Sequence, residues 1–143
     1  DKFRELMMHY FSSKKMLYHY ISMAEGNYRE YLQGEIVRAK KYFYVLRPVL
    51  ACRWILDRGT PPPMLFSELI KEELPVELIN PVNQLLELKM NSPEVKLINR
   101  ISEINEYLDT SIPSIKSAVR LLDDSHTPEW NELNQLFLRE LMK

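Results

Sequence analysis

The chain has 143 residues, 45% of them apolar and 27% charged, enough for one ordinary folded domain with a real core. A formal net charge of −1 argues against a general nucleic-acid binder, and a single cysteine, Cys52, leaves no internal disulfide and no cysteine zinc site. No run of about 18 apolar residues and no N-terminal hydrophobic signal core is present, so membrane insertion and secretion are not expected and a reducing, cytoplasmic setting is.

Three glycines are few, and Leu, Glu, Lys, Ile and Met are abundant. The expected class is therefore all-α, an irregular bundle of roughly five to seven helices in a single domain over residues 1–143. The chain opens at Asp1, not Met, and enters an amphipathic pattern at once, which reads as the C-terminal part of a larger protein.

The first predicted helix carries Phe3, Met7, Tyr10, Leu17, Ile21, Ala24, Tyr28 and Tyr31 at four-three spacing, with Lys14 as a polar break. Gly26-Asn27 is expected to kink or cap it. The second helix is predicted over residues 35–58 and ends at Gly59, a good C′ residue. Ile36, Ala39, Phe43, Leu46, Leu50 and Trp54 form one face of it, and Tyr42, Val45, Val49 and Cys52 make the opposite face apolar too. Such a helix belongs at the centre of its bundle. Trp54 is read as core, and Pro48 predicts a kink near Tyr44.

The segment "GTPPPMLF" predicts a stiff, extended connection. Short helices follow over residues 67–74 and 81–90. Ser92 and Pro93 read as the N-cap and first position of another helix, with Leu97, Ile101, Ile104 and Leu108 facing the core. Pro113 is expected to break or kink that helix, with Asp109 or Ser111 capping a restart. A last helix opens at Thr127-Pro128 and carries Trp130, Leu133, Phe137 and Leu141. No stretch shows a period-two strand pattern.

Charge is unevenly distributed. Residues 34–58 hold six basic side chains against two acidic ones, and residues 66–94 hold six acidic against two basic. Among catalytic patterns, His9, His19 and His126 share no metal-ligand spacing, and no glycine-rich phosphate loop exists. Cys52 reads as core rather than as a nucleophile. Glu72-Glu73 and Asp123-Asp124 are adjacent on helices, so their side chains diverge by about 100° and suit solvated faces. Arg120 and His126 stand near the spacing of the Arg…His pair of HEPN-type helical ribonucleases, a loose two-residue match.

On a wheel with Ile36 at zero and about 100° per residue, Lys40, Tyr44, Arg47 and Ala51 fall within a stripe some 60° wide. Lys41 and Arg53 lie on other faces. A guanidinium on an otherwise apolar helix needs an answer. Either Glu68, Glu72, Glu77 or a helix C-terminus pairs with Arg47, or the stripe receives an anion, phosphate above all.

The stretches "HYFSSKKMLYHYISMAEGNYREYL", "KKYFYVLRPVLACRWI" and "PPPMLFSEL" resemble the C-terminal helical half of a family of predicted nucleotidyltransferases. That family belongs to the DNA polymerase β superfamily and is of the RNA-ligase-associated, RNA-repair-linked type. The resemblance covers roughly residues 9–70 and weakens beyond residue 75. It implies a preceding α/β catalytic domain, absent from this chain, which would carry a Gly-Ser turn and aspartates for Mg²⁺. It also implies that this chain alone is inactive and that Lys40, Lys41, Tyr44, Arg47 and Arg53 bind substrate. The implied partners are a nucleoside triphosphate, RNA and the catalytic domain. The alternatives are a non-catalytic helical interaction or dimerisation module, with Tyr10, Tyr18, Tyr20, Tyr28 and Tyr31 as adhesive surface, and the helical ribonuclease; an apolar patch left without the catalytic domain would favour a homodimer.

Overall fold

The computed structural model of the chain describes the backbone of residues 2–91 and 96–124 and the side chains of residues 13–90 and 96–122. Five α-helices and a two-stranded ribbon run in the order α1 (Lys2–Tyr31), β1 (Ile36–Arg38), α2 (Ala39–Arg58), α3 (Phe66–Glu73), α4 (Ile79–Asn91), β2 (Leu97–Asn99) and α5 (Ser102–Asp124). A 3-10 turn over Val76–Leu78 leads into α4. The described residues thus form the expected all-α bundle.

α2 stands at its centre, in contact with α1, α3, α4 and α5. The cause lies in its composition. Tyr42, Phe43, Val45, Leu46, Val49, Leu50, Cys52 and Ile55 are all buried, on both sides of the helix. Pro48 gives up one backbone donor, yet α2 runs on through it, held by packing on its flanks. Gly59, at φ 67°, ends the helix and donates its N–H to the Ile55 carbonyl at 2.8 Å. The Cys52 thiol is buried against the Leu17 carbonyl of α1, and burial pushes its pKa up to about 12, as suits an inert core residue.

Several sequence-based expectations are corrected. α1 continues through Gly26 to Tyr31: Leu17, Ile21 and Ala24 are buried before the glycine, and Tyr28 and Tyr31 pack against the same core after it. The second helix starts at Ala39, not residue 35. Residues 36–38 instead pair antiparallel with residues 97–99, in the register Ile36↔Asn99, Val37↔Ile98 and Arg38↔Leu97. Only Val37 of β1 turns inward, so Ile36 and Leu97, expected in the core, are 57% and 59% exposed. Three residues are too few to show a period of two.

For the same reason the helix predicted to open at Ser92-Pro93 opens at Ser102. α5 then passes through Pro113 unbroken, with Leu108, Ile112, Ile115 and Val119 buried on both sides of the proline. Trp54 is half-buried: its indole N–H donates to Thr60 Oγ1 at 3.1 Å, and the Arg58 guanidinium lies 3.9 Å from its ring centroid. Its truncation therefore falls short of the loss of about 3–5 kcal/mol expected of a full core tryptophan. The predicted helix after Thr127 lies outside the described residues.

One buried amide organises the junction of α1, α2 and α5. Asn105, 2% exposed, donates through Nδ2 to the Leu32 carbonyl at 2.9 Å. Its Oδ1 accepts from the Tyr42 hydroxyl at 2.6 Å, and that hydroxyl accepts in turn from the Ile101 N–H at 2.7 Å. The Tyr28 hydroxyl reaches the Asn105 carbonyl at 3.1 Å and bonds the Asp109 carboxylate. Burial, aided by Asp109, raises the Tyr28 pKa to about 12, so it stays a donor across the physiological range.

Removing the amide leaves two buried groups unpaired. Asn105→Ala is expected to destabilise by roughly 2–4 kcal/mol and Tyr42→Phe by roughly 1–3 kcal/mol, read by chemical denaturation. A loss below about 1 kcal/mol in Asn105→Ala would show that the junction is held by apolar packing alone.

Candidate anion-binding site on the central helix

The solvent-facing stripe of α2 is where its cations gather. Arg47 is exposed, not buried, and among the described residues no carboxylate pairs with it. Glu68, Glu72 and Glu77, its candidate partners, do not meet it. Glu72 pairs instead with Arg58 at 3.1 Å. Arg47 rests over the Phe66 ring, 5.5 Å from its centroid, and Phe66 packs edge-on against Phe43 at 5.7 Å. The ring supports the guanidinium without neutralising it, and the side chain remains exposed.

Arg47 and Ala51 form one side of a cavity of about 210 Å³. Tyr20 of α1, Leu69 of α3 and the loop residues Pro62, Pro63 and Met64 complete its lining. Its walls are mostly apolar, and among the described residues that line it Arg47 is the one that carries charge. The stiff proline segment predicted from "GTPPPMLF" is thus one wall of the site.

Two turns earlier, Lys41 Nζ sits 4.0 Å from the Tyr31 ring centroid and 4.6 Å from that of Tyr44. Lys41, Tyr44 and Arg47 follow one another at i, i+3 and i+6, which brings them along one inclined row about 9 Å long. Lys40, on the same face as Arg47 about two turns earlier, is half-buried. The wheel had set Lys41 apart from the stripe. Its long stem bends back over Tyr44 and brings the ammonium towards it.

Arg53, six residues beyond Arg47, is set apart from this row by its contacts. It lies in a second group, with Asp57, Arg58, Glu73 and Tyr107. Tyr107 and Glu73 escaped the sequence reading of functional residues; only their place in the fold joins them to Arg53. One Glu73 oxygen is buried without a hydrogen-bond partner among the described residues, and Arg58 Nε stands 3.8 Å from it. Burial, reinforced by Asp57 beside it, pushes the Glu73 carboxyl up to about 7.

Nowhere among the described residues do three His, Cys, Asp or Glu side chains converge. The Asp57–Glu73 pair is flanked by two arginines and one member tends to keep its proton, so these residues do not fit a Mg²⁺ site. Arg120 is exposed on α5; His126, its partner in the ribonuclease pattern, lies outside the described residues. No helix among the described residues is long and apolar enough to cross a membrane.

The raised carboxyl has a consequence for stability. Below about pH 4.5 Glu73 is protonated folded and unfolded alike; as pH rises towards 7 the unfolded state ionises first and native stability falls. Glu73→Gln is expected to match the native chain near pH 4 and to exceed it at pH 7.5, by on the order of 1 kcal/mol in denaturant titrations. A stability difference that stays flat across this range would contradict the assignment.

Over residues 1–139 the chain matches the family described as RlaP, RNA repair pathway DNA polymerase beta family. The match runs well beyond the segment of residues 9–70 on which the sequence resemblance rests. The chain is 42% identical over 139 residues to the uncharacterized protein YcgL of Bacillus subtilis (strain 168), covering 96% of this chain and 54% of that protein. It therefore spans about half the length of this relative. No solved structure gives a significant match. On the family match over almost its whole length, the chain belongs to the RNA repair pathway DNA polymerase beta family.

Proposed function

We propose that this chain is the helical substrate-binding part of a nucleotidyltransferase, working beside a separate α/β catalytic domain of the same protein. The observation that carries the reading is the exposed Arg47 guanidinium, without a carboxylate partner among the described residues, at a cavity lined otherwise by apolar groups. An interaction module whose basic helix is answered by internal glutamates requires a paired Arg47. Family membership supplies the reaction class, and the length of YcgL leaves room for a second domain.

In this reading the catalytic domain performs the metal-dependent step and this chain closes the cleft from the other side. Arg47 presents its fork to phosphate oxygens, and Lys41 and Lys40 add positive charge along the same helix. Tyr44, 41% exposed and held against Lys41, offers a ring face to sugar or base and a hydroxyl to a phosphate. Arg53 has its own partners and takes no part. The acceptor class that the family description implies is RNA, and a reducing, cytoplasmic setting accords with one buried, unpaired cysteine.

Calorimetric titration of ATP, GTP, CTP and UTP into the chain tests this directly. Weak binding, reduced about tenfold or more in Arg47→Ala with an unchanged melting temperature, is the expected result. Equal binding by the variant, or none by the folded wild type, would contradict it.

A further inference from the structure

The wall opposite Arg47 has an unusual mechanical problem. Residues 61–63 are three consecutive prolines, none with a backbone N–H to donate. The backbone bonds that flank this loop are those of Gly59 at the end of α2 and of Leu65 at the start of α3. From residue 60 to residue 64, the hydrogen bond that ties the loop to the bundle among the described residues is the one from Trp54 Nε1 to Thr60 Oγ1, at 3.1 Å. Pro62, Pro63 and Met64, which line the cavity, follow Thr60 directly.

Trp54 is well placed to hold them. It lies seven residues after Arg47, so the two share a face of α2 about two turns apart. Its indole is itself fixed from above: the Arg58 guanidinium stacks on the ring at 3.9 Å and is anchored to Glu72 of α3 at 3.1 Å. The chain of contacts runs from α3 through Arg58 to the indole, and from the indole through Thr60 to the proline wall. Stiff prolines carry the position of Thr60 on to Met64 with little loss, because each ring fixes its own φ.

We infer that the Trp54–Thr60 hydrogen bond sets the proline wall of the Arg47 cavity, making Trp54 and Thr60 positioning residues for the organic portion of a bound nucleotide. This rests on the reading of the cavity as a nucleotide site. Arg47 grips the phosphates; the wall fixes how far the nucleoside can settle against Tyr20, Ala51 and Leu69. Loss of the bond leaves the guanidinium intact and lets the wall drift, so the nucleoside loses contact while the phosphates keep theirs.

The test compares two probes, ATP and inorganic tripolyphosphate, by calorimetry on the whole chain, with melting temperatures alongside. Thr60→Val removes the acceptor at an exposed position and is expected to weaken ATP about fivefold, the worth of one ordinary hydrogen bond, while tripolyphosphate affinity and melting temperature hold. Thr60→Ser should restore ATP binding. Trp54→Phe keeps a ring beneath Arg58 without the donor, and combined with Thr60→Val it should weaken ATP no further than either change alone. Unchanged ATP affinity in Thr60→Val, equal losses for both probes, failure of serine to rescue, or additive losses in the double variant would each overturn the inference. Should the wild type bind neither probe, the nucleotide reading falls and takes this inference with it. Should it bind both and lose both in Arg47→Ala while ignoring Thr60→Val, the nucleotide reading stands and this inference alone fails.

Discussion

The Asn105 amide bonds the Leu32 carbonyl and the Tyr42 hydroxyl, and through Tyr42 the Ile101 N–H, so the end of α1, the start of α2 and the entry to α5 share one buried polar contact. The geometry of the bundle depends on it because apolar packing alone is tolerant of small rotations, whereas buried donors and acceptors are not. With Tyr42 pinned inward, α2 has a fixed rotation about its axis. Tyr44 and Arg47, two and five residues further on, are then directed outward whatever their own contacts. The exposed cationic row is a consequence of the buried amide on the other side of the same helix.

Two clusters of charge on α2 are met by different neighbours. On the outward side Lys41 and Arg47 are met by aromatic rings, which steady them without neutralising them. Towards the C-terminal end of α2, Arg53 and Arg58 are met by Asp57, Glu72 and Glu73. Glu72 and Glu73 of α3 are thus directed at the C-terminal end of α2, and the row beginning at Lys41 meets no carboxylate among the described residues. A basic helix beside an acidic segment does not cancel uniformly. Which cations meet a carboxylate among the described residues is decided by where along α2 the glutamates of α3 reach it.

Much of this was legible in the sequence. The all-α class and central α2, the stop at Gly59 and the extended proline segment all follow from local patterns of apolar spacing, glycine and proline. The stripe of Lys40, Tyr44 and Arg47 follows from helical geometry. What local pattern does not contain are contacts between distant segments. β1 and β2 are three residues each and exist only as a pair, so Ile36 and Leu97 looked like helix core. Pro113 looked like a break because the row of buried residues that carries α5 past it is a tertiary effect. Asn105 stood out by no local pattern, and Glu73 looked like half of a solvated pair; each acquires its role from residues more than ten positions away. The proline wall was visible as a stiff loop, but that it faces Arg47 was not.

The most direct measurement of the central claim is side-chain NMR of Arg47 and the Met64 methyl group during titration with a nucleoside triphosphate. If nucleotide binds at this cavity, the Arg47 Nε–H and Met64 methyl signals shift together and saturate along one binding curve, with the Arg53 Nε–H signal unmoved. Saturable shifts centred on Arg53, or an Arg47 signal indifferent to nucleotide in a folded chain, would contradict it.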